Sequence, residues 1–258
     1  MKKAISLLLT ALVIFTFAGC ESAKTAKPHY ADKKFIESLS KGLEERWTLT
    51  EKYEDEEDTV DMMNSYIQAE LDELTQYETA MFQDTKLQEK AIRYINCLKD
   101  SQEHIEYCFS GNYEDMAKWD DIYNTRAVLI KDFVENYGLT VSDKYKSTLD
   151  SFIATGKIVE TNAAQQEAVQ KLVDSLEFKV TENDYGWKTY QAILENTSEY
   201  DIVLISIDVS LLDESGTIIE TQYISAENVA EGQKAALEFT TEADFETVEL
   251  ILDYYEVG

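Results

Sequence analysis

The spacing of apolar residues changes once along this chain, and that change constrains the fold more than any other feature. Up to residue 176 apolar side chains recur at intervals of three and four, the period of a helix with one buried face. Ile36, Leu39, Leu43 and Trp47 form one such stripe, and Val60, Met63, Ile67, Leu71 and Leu74 a second. Leu87, Ala91, Ile95, Leu98 and Ile105 form a third, and Trp119, Ile122, Ala127, Ile130, Phe133 and Tyr137 a fourth. The fifth holds Tyr145, Leu149 and Phe152, then Ala168, Leu172 and Leu176. From 177 onward the period is two, seen best in Ile205-Ser206-Ile207-Asp208-Val209-Ser210-Leu211. The fold class expected is α then β in two domains: an antiparallel bundle of about five helices over 32–176, then a β-sandwich over 177–258.

Punctuation supports the helices. Thr85 with Gln88 reads as a capping box, Gly111-Asn112 as a break, Gly138 as a C-cap and Ser142 as the next N-cap. Gly156 is expected to kink or split the last helix. In the β region, alternation recurs at Phe178 and Val180, at Tyr190, Ala192 and Leu194, at Leu237 and Phe239, and at Val248, Leu250, Leu252 and Tyr254. Turn signals separate these runs: Asn183-Asp184-Tyr185-Gly186, Asn196-Thr197-Ser198, Asp213-Glu214-Ser215-Gly216 and Glu231-Gly232. Six or seven short strands are expected, and residues 178–258 are expected to fold as a fragment.

The start of the chain is an address. Lys2 and Lys3 precede a nearly unbroken apolar run from Ala4 to Phe17, which ends in Ala18-Gly19-Cys20. That is the layout of a secretory signal, too short for a convincing membrane span. Phe17-Ala18-Gly19-Cys20 resembles the bacterial lipobox, with Phe17 where a branched aliphatic residue is usual. The resemblance implies cleavage of residues 1–19 between Gly19 and Cys20, and lipid on Cys20. Residues 20–31 would then be a tether spanning at most about 35–40 Å, holding the rest near the outer side of the cell membrane.

Charge narrows the partners. The chain has 51 acidic residues against 23 lysines and arginines, a net of −28. Residues 177–258 alone hold 19 acidic residues and only Lys179, Lys188 and Lys234 as bases, a net of −16. Such a surface repels nucleic acid and suits a cationic partner, counter-ions or an envelope protein, or else does no more than keep an exported protein soluble. Cys97 and Cys108 read as residues of one helix, roughly 16 Å apart, beyond the ~7 Å reach of a disulfide. They are expected to be small core residues, with a bridge open only if the helix breaks between them.

No catalytic pattern is present: no Gly-x-Ser-x-Gly, no His-Glu-x-x-His and no phosphate-cradling glycine loop. His29 falls in the tether, and His104, between Glu103 and Glu106, reads as a solvated residue on an exposed helix face. The run Glu51, Glu54, Asp55, Glu56, Glu57, Asp58 and Asp61 lacks the spacing and turn glycine of a calcium loop. No metal and no cofactor is expected.

Residues 178–258 resemble the FxLYD family, an immunoglobulin-like module of extracytoplasmic proteins. The motif falls on Val209-Ser210-Leu211-Leu212-Asp213, with Leu211 and Asp213 matching, Val209 in place of Phe and Leu212 in place of Tyr. Asn196-Thr197-Ser198, Gly216, and Asn228-Val229 with Gly232 fall where the family has its turn elements. The resemblance implies an immunoglobulin-like sandwich with no catalytic residues, in a lipoprotein of Gram-positive type. The expected function is a non-catalytic binding or scaffolding module of the cell envelope. The alternative is an extracytoplasmic enzyme acting on cell-wall material through paired carboxylates.

Overall fold

The computed structural model describes residues 29–258. Within them, five α-helices are followed by six strands: α1 Asp32–Lys52, α2 Val60–Leu74, α3 Thr85–Glu103, α4 Tyr113–Tyr137 and α5 Lys146–Asp174, then β1 Lys179–Asp184, β2 Trp187–Glu195, β3 Ile202–Leu212, β4 Ile218–Val229, β5 Lys234–Thr241 and β6 Thr247–Val257.

The helical stripes meet in one core. Leu39, Leu43, Ile67, Leu74, Ala91, Ile95, Leu98, Ala127, Ile130 and Phe133 are all sealed from solvent. On α1 the residue at the centre of the core is Phe35, while its neighbour Ile36 is only partly buried. The Phe35 ring packs edge-on against Tyr77, Phe82 and Phe133 at centroid distances of 5.5–5.8 Å, the geometry that aromatic quadrupoles favour.

Several local expectations are corrected. The N-cap of α3 is Asp84, not Thr85: its carboxylate accepts from the Lys86 and Leu87 amides, while Gln88 turns away and donates to the Ala80 carbonyl. An aspartate at that position reaches the free amides of the first turn directly, so no capping box is needed. Ser142 precedes only a 3-10 turn, Asp143–Tyr145, and makes no side-chain cap. Gly138 does cap α4, in the left-handed conformation at φ 73°. Gly156 does not split α5, which runs unbroken to Asp174. Its lack of a side chain serves packing instead: a Cβ there would lie 2.8 Å from the Ala127 carbonyl oxygen of α4.

The two cysteines do not share a helix. α3 ends at Glu103, and Cys108 lies in the 3-10 turn Ile105–Phe109. Both thiols are free even so. Cys97 donates to the Ile122 carbonyl and Cys108 to the Ile105 carbonyl.

The strands form two antiparallel three-stranded sheets, in the orders β1-β2-β5 and β4-β3-β6. One buried cluster draws on both, with Ala192, Leu194, Leu237 and Phe239 from the first and Ile205, Ile207, Val209, Leu211 and Ile224 from the second. β3 is the central strand of the second sheet, and its strict alternation gives the inward row directly. Tyr185 and Gly186 both take positive φ in the β1–β2 hairpin, as its two-residue turn requires. Asn196 is fully buried. Its amide donates to the Tyr200 and Val229 carbonyls at 2.8 and 2.9 Å, and its oxygen accepts from the Ser198 amide and hydroxyl. The segment is thus a turn that ties the end of β2 to the end of β4.

One strand residue is on the other face from that expected. Ser206 pairs with Tyr254 but Ile207 pairs with Leu252, so Asp253 is the extra residue of a bulge. The bulge shifts the alternation by one. Tyr254 turns outward, 50% exposed, and Tyr255 takes its place against the core.

Packing divides the chain earlier than periodicity does. Leu149 and Phe152 of α5 belong to the helical core, but Val169, Leu172, Val173 and the following Leu176 belong to the β core. α5 therefore runs through both.

Candidate functional site

Two constellations of ionisable groups stand out in the helical region. The first lies inside the bundle. Glu70 of α2 is fully buried, and one of its oxygens accepts from Arg46 of α1 at 3.0 Å and from Arg126 of α4 at 2.9 Å. Its other oxygen accepts from the Tyr94 hydroxyl of α3. Each group projects from an apolar stripe, so four helices deliver it to one point. The Arg126 guanidinium lies 4.8 Å over the Phe152 ring, which brings in α5 as well. Burial pushes the Glu70 carboxyl up, but the two guanidiniums and the Tyr94 hydroxyl outweigh it and hold it below the usual carboxylate range. Burial likewise drives the Tyr94 hydroxyl well up. Arg126 Nε is buried with no hydrogen-bond partner among the described residues. The quartet carries two cations and one anion, and its carboxylate is fully engaged.

The second is a cleft of about 560 Å³ at the end of the bundle where α1 begins and α4 ends. Ile36, Leu87 and Tyr137 give it apolar walls, and Asp32, Glu37 and Asp84 bring carboxylates to it. These carboxylates already have work. Asp32 accepts from the Gln83 and Asp84 amides at 2.8 and 2.9 Å. Burial raises its carboxyl, but the backbone hydrogen bonds outweigh this and hold it below its ordinary value. Asp84 caps α3, and Glu37 pairs with Lys33 at 3.2 Å. Ser40 donates to the Thr140 carbonyl at 2.6 Å. Burial, with the charges of Asp84 and Asp132, raises the Tyr137 hydroxyl. The cleft offers an apolar wall and a rim on which three carboxylates outnumber the one lysine, Lys33, suited to a small body with a cationic head.

The residues singled out in the sequence are scattered. Gly19 and Cys20 lie outside the described residues. His29 is exposed just before α1. His104 is the C-cap of α3 rather than a residue on its exposed face, and its ring stacks on Tyr107 at 4.9 Å. It borders a shallow groove with Asp100, Lys118 and Asp121. Burial pushes the Cys97 thiol up to about 11, which makes it inert as a nucleophile. In the acidic run, Glu51 pairs with Lys144. Among the described residues no group of three or more carboxylates, histidines or cysteines is arranged to hold a metal ion.

The quartet carried a sequence signal of its own. Glu70, Arg126 and Tyr94 occupy positions on the apolar stripes of their helices, between Ile67 and Leu71, before Ala127 and beside Ile95. A charge in the middle of a stripe calls for an opposite charge on a facing one.

No family model matches the chain, and no curated protein matches it. Among solved structures it is similar to IrmA from Escherichia coli, at 19% identity over 30% of this chain and 72% of that one, with a TM-score of 0.26. It is also similar to Pseudomonas fluorescens alkylpurine DNA glycosylase AlkC, bound to DNA containing an abasic site analog. That likeness covers 84% of this chain and 76% of the other at 8% identity, with a TM-score of 0.19. Neither is close enough to carry a fold or a function across.

Proposed function

We propose that the chain is a membrane-anchored extracytoplasmic lipoprotein, held by lipid on Cys20, that serves as a non-catalytic binding or scaffolding module of the cell envelope. The β region is read as an immunoglobulin-like sandwich of the FxLYD type. A single buried cluster shared by two antiparallel sheets, and the turn built on Asn196, support that reading.

The observation that carries the binding role is the state of the carboxylates. In the cleft at the start of α1 Asp32, Asp84 and Glu37 are each taken up by backbone amides or a lysine, and in the bundle Glu70 is taken up by two arginines. A glycan-cleaving pair needs one carboxyl held protonated near neutral pH, whereas Asp32 and Glu70 are both shifted the other way. The alternative, an enzyme acting on cell-wall material, rests on the convergence of Asp32 and Asp84 at one cleft.

Metabolic labelling with a fatty acid tests the anchor: wild type should carry label and Cys20→Ser should not. Equal labelling of both would refute it. Release of soluble sugar from purified cell wall by wild type, lost in Asp84→Asn, would favour the enzyme.

A further inference from the structure

The three basic residues of the β region all lie on one sheet. Lys179, Lys188 and Lys234 belong to β1, β2 and β5, and the last two pair with Asp244 and Glu195, each at 2.8 Å. The other sheet, β4-β3-β6, contains no lysine, arginine or histidine. Register places Asp208, Glu227, Glu249 and Glu256 on its outer face, and among the described residues none of them is paired with a base.

Tyrosines stand among these carboxylates. Tyr223 of β4 pairs with Asp208, and Tyr254 of β6, turned outward by the bulge at Asp253, pairs with Ser206. The Tyr223 hydroxyl is hydrogen-bonded to the Ser206 hydroxyl on the neighbouring strand. Its ring therefore lies across the sheet, roofing Ser206, which is only 2% exposed, while Tyr223 itself is 61% exposed. A pinned ring with an open face is a preorganised platform, and ordering it on binding costs little. Tyr254 stands two strands away, about 10 Å across the sheet, with Ile251 beside it on the same face.

We infer that the outer face of the β4-β3-β6 sheet is a docking surface for a lysine- or arginine-rich segment of a partner protein. This deepens the binding reading above and rests on it. Cationic side chains would lie over the Tyr223 and Tyr254 rings, where a guanidinium or ammonium is attracted to the negative π face, and would pair with Asp208, Glu249 and Glu227. The same negative field excludes a second copy of this face and any anionic polymer.

The probe is a hexa-arginine peptide, titrated at 0.15 M salt into residues 21–258, which retain every described residue. General attraction to an acidic protein would not depend on the tyrosines, so the variants Tyr223→Ala and Tyr254→Ala, which leave the charge unchanged, decide the question. Each should weaken binding roughly two- to fivefold, the range for exposed cation–π contacts, and Asp208→Asn should weaken it further. Glu238→Gln and Ile193→Ala on the outer face of the other sheet should leave the affinity within about twofold. Unchanged melting curves keep misfolding out of the comparison. Equal losses from both faces, or none from the tyrosine variants, would overturn the proposal. Binding of a neutral chitin tetrasaccharide that is lost in the tyrosine variants, with no such loss for hexa-arginine, would reassign the face to glycans. None of these outcomes depends on Cys20 labelling, so the anchor and the docking face can fail separately.

Discussion

Arg126 donates to Glu70 across 2.9 Å, with the guanidinium side chain 4% exposed and the carboxylate not exposed at all. An ion pair so enclosed contributes less by existing than it costs when broken, because the surviving partner stays buried without its counter-charge. Glu70→Gln leaves two guanidiniums facing each other and should lower unfolding stability by about 3–5 kcal/mol. Urea denaturation of the two proteins measures this. Replacing all three charges together, as Arg46→Met, Glu70→Leu and Arg126→Met, should recover much of the loss. A triple variant no more stable than Glu70→Gln would mean that the quartet is held by something other than charge balance.

Acid should act through the same residue. The folded Glu70 carboxyl ionises below its ordinary value of 4.5. The stability it contributes is therefore complete above that value and is lost as pH falls through the lower folded-state pKa. Asp32 shifts in the same direction from 3.8. Thermal melts from pH 7 downward should be flat to about pH 5 as far as these two groups go and fall steeply below. The acid limb should be shallower in Glu70→Gln.

Gly156→Ala sets helix propensity against packing. Alanine favours a helix by about 1 kcal/mol over glycine, but here its methyl would sit 2.8 Å from the Ala127 carbonyl oxygen and 3.0 Å from the Lys131 Cβ. Backbone must move to admit it, at about 1–3 kcal/mol. The net expectation is a lower melting temperature. A rise would show that α4 and α5 can separate without cost.

Fragments report where the β region begins as a folding unit. Val169, Leu172, Val173 and Leu176 lie in its core, and each buried aliphatic side chain contributes about 1.5–3 kcal/mol. Together they rival the 5–15 kcal/mol that holds a whole domain. Residues 178–258 should therefore melt without cooperativity, and residues 160–258 should melt cooperatively with a mixed helix and strand spectrum. Cooperative melting of the shorter piece would put the boundary back at the change of period.

What the sequence showed depended on how many faces an element buries. The five helices and β3 present one clean stripe each and were legible. β4 was not recognised as a strand, because Ile-Ile-Glu-Thr-Gln-Tyr at its start has polar residues facing both ways. Glu220 points inward and accepts from the buried Thr241 hydroxyl, a tertiary partner that no local pattern shows. The bulge at Asp253 was equally hidden, since Leu-Asp-Tyr-Tyr reads as alternation in either register. At the quartet the charged residues were visible, but the pairing of Glu70 with an arginine 56 positions away was not.

Because α5 belongs to both cores, the number of residues between Gly156 and Val169 sets an angle. Each residue of an α-helix advances 1.5 Å and turns the chain by about 100°. One inserted residue in that stretch would swing the tyrosine face about a quarter-turn around the bundle, while seven would return it to within about 20° of its starting direction, some 10 Å farther out. The length of the exposed middle of α5 thus acts as a phase setting: it fixes which way the acidic sheet looks relative to the end of the bundle where the chain enters, and hence from which side an approaching partner first meets it.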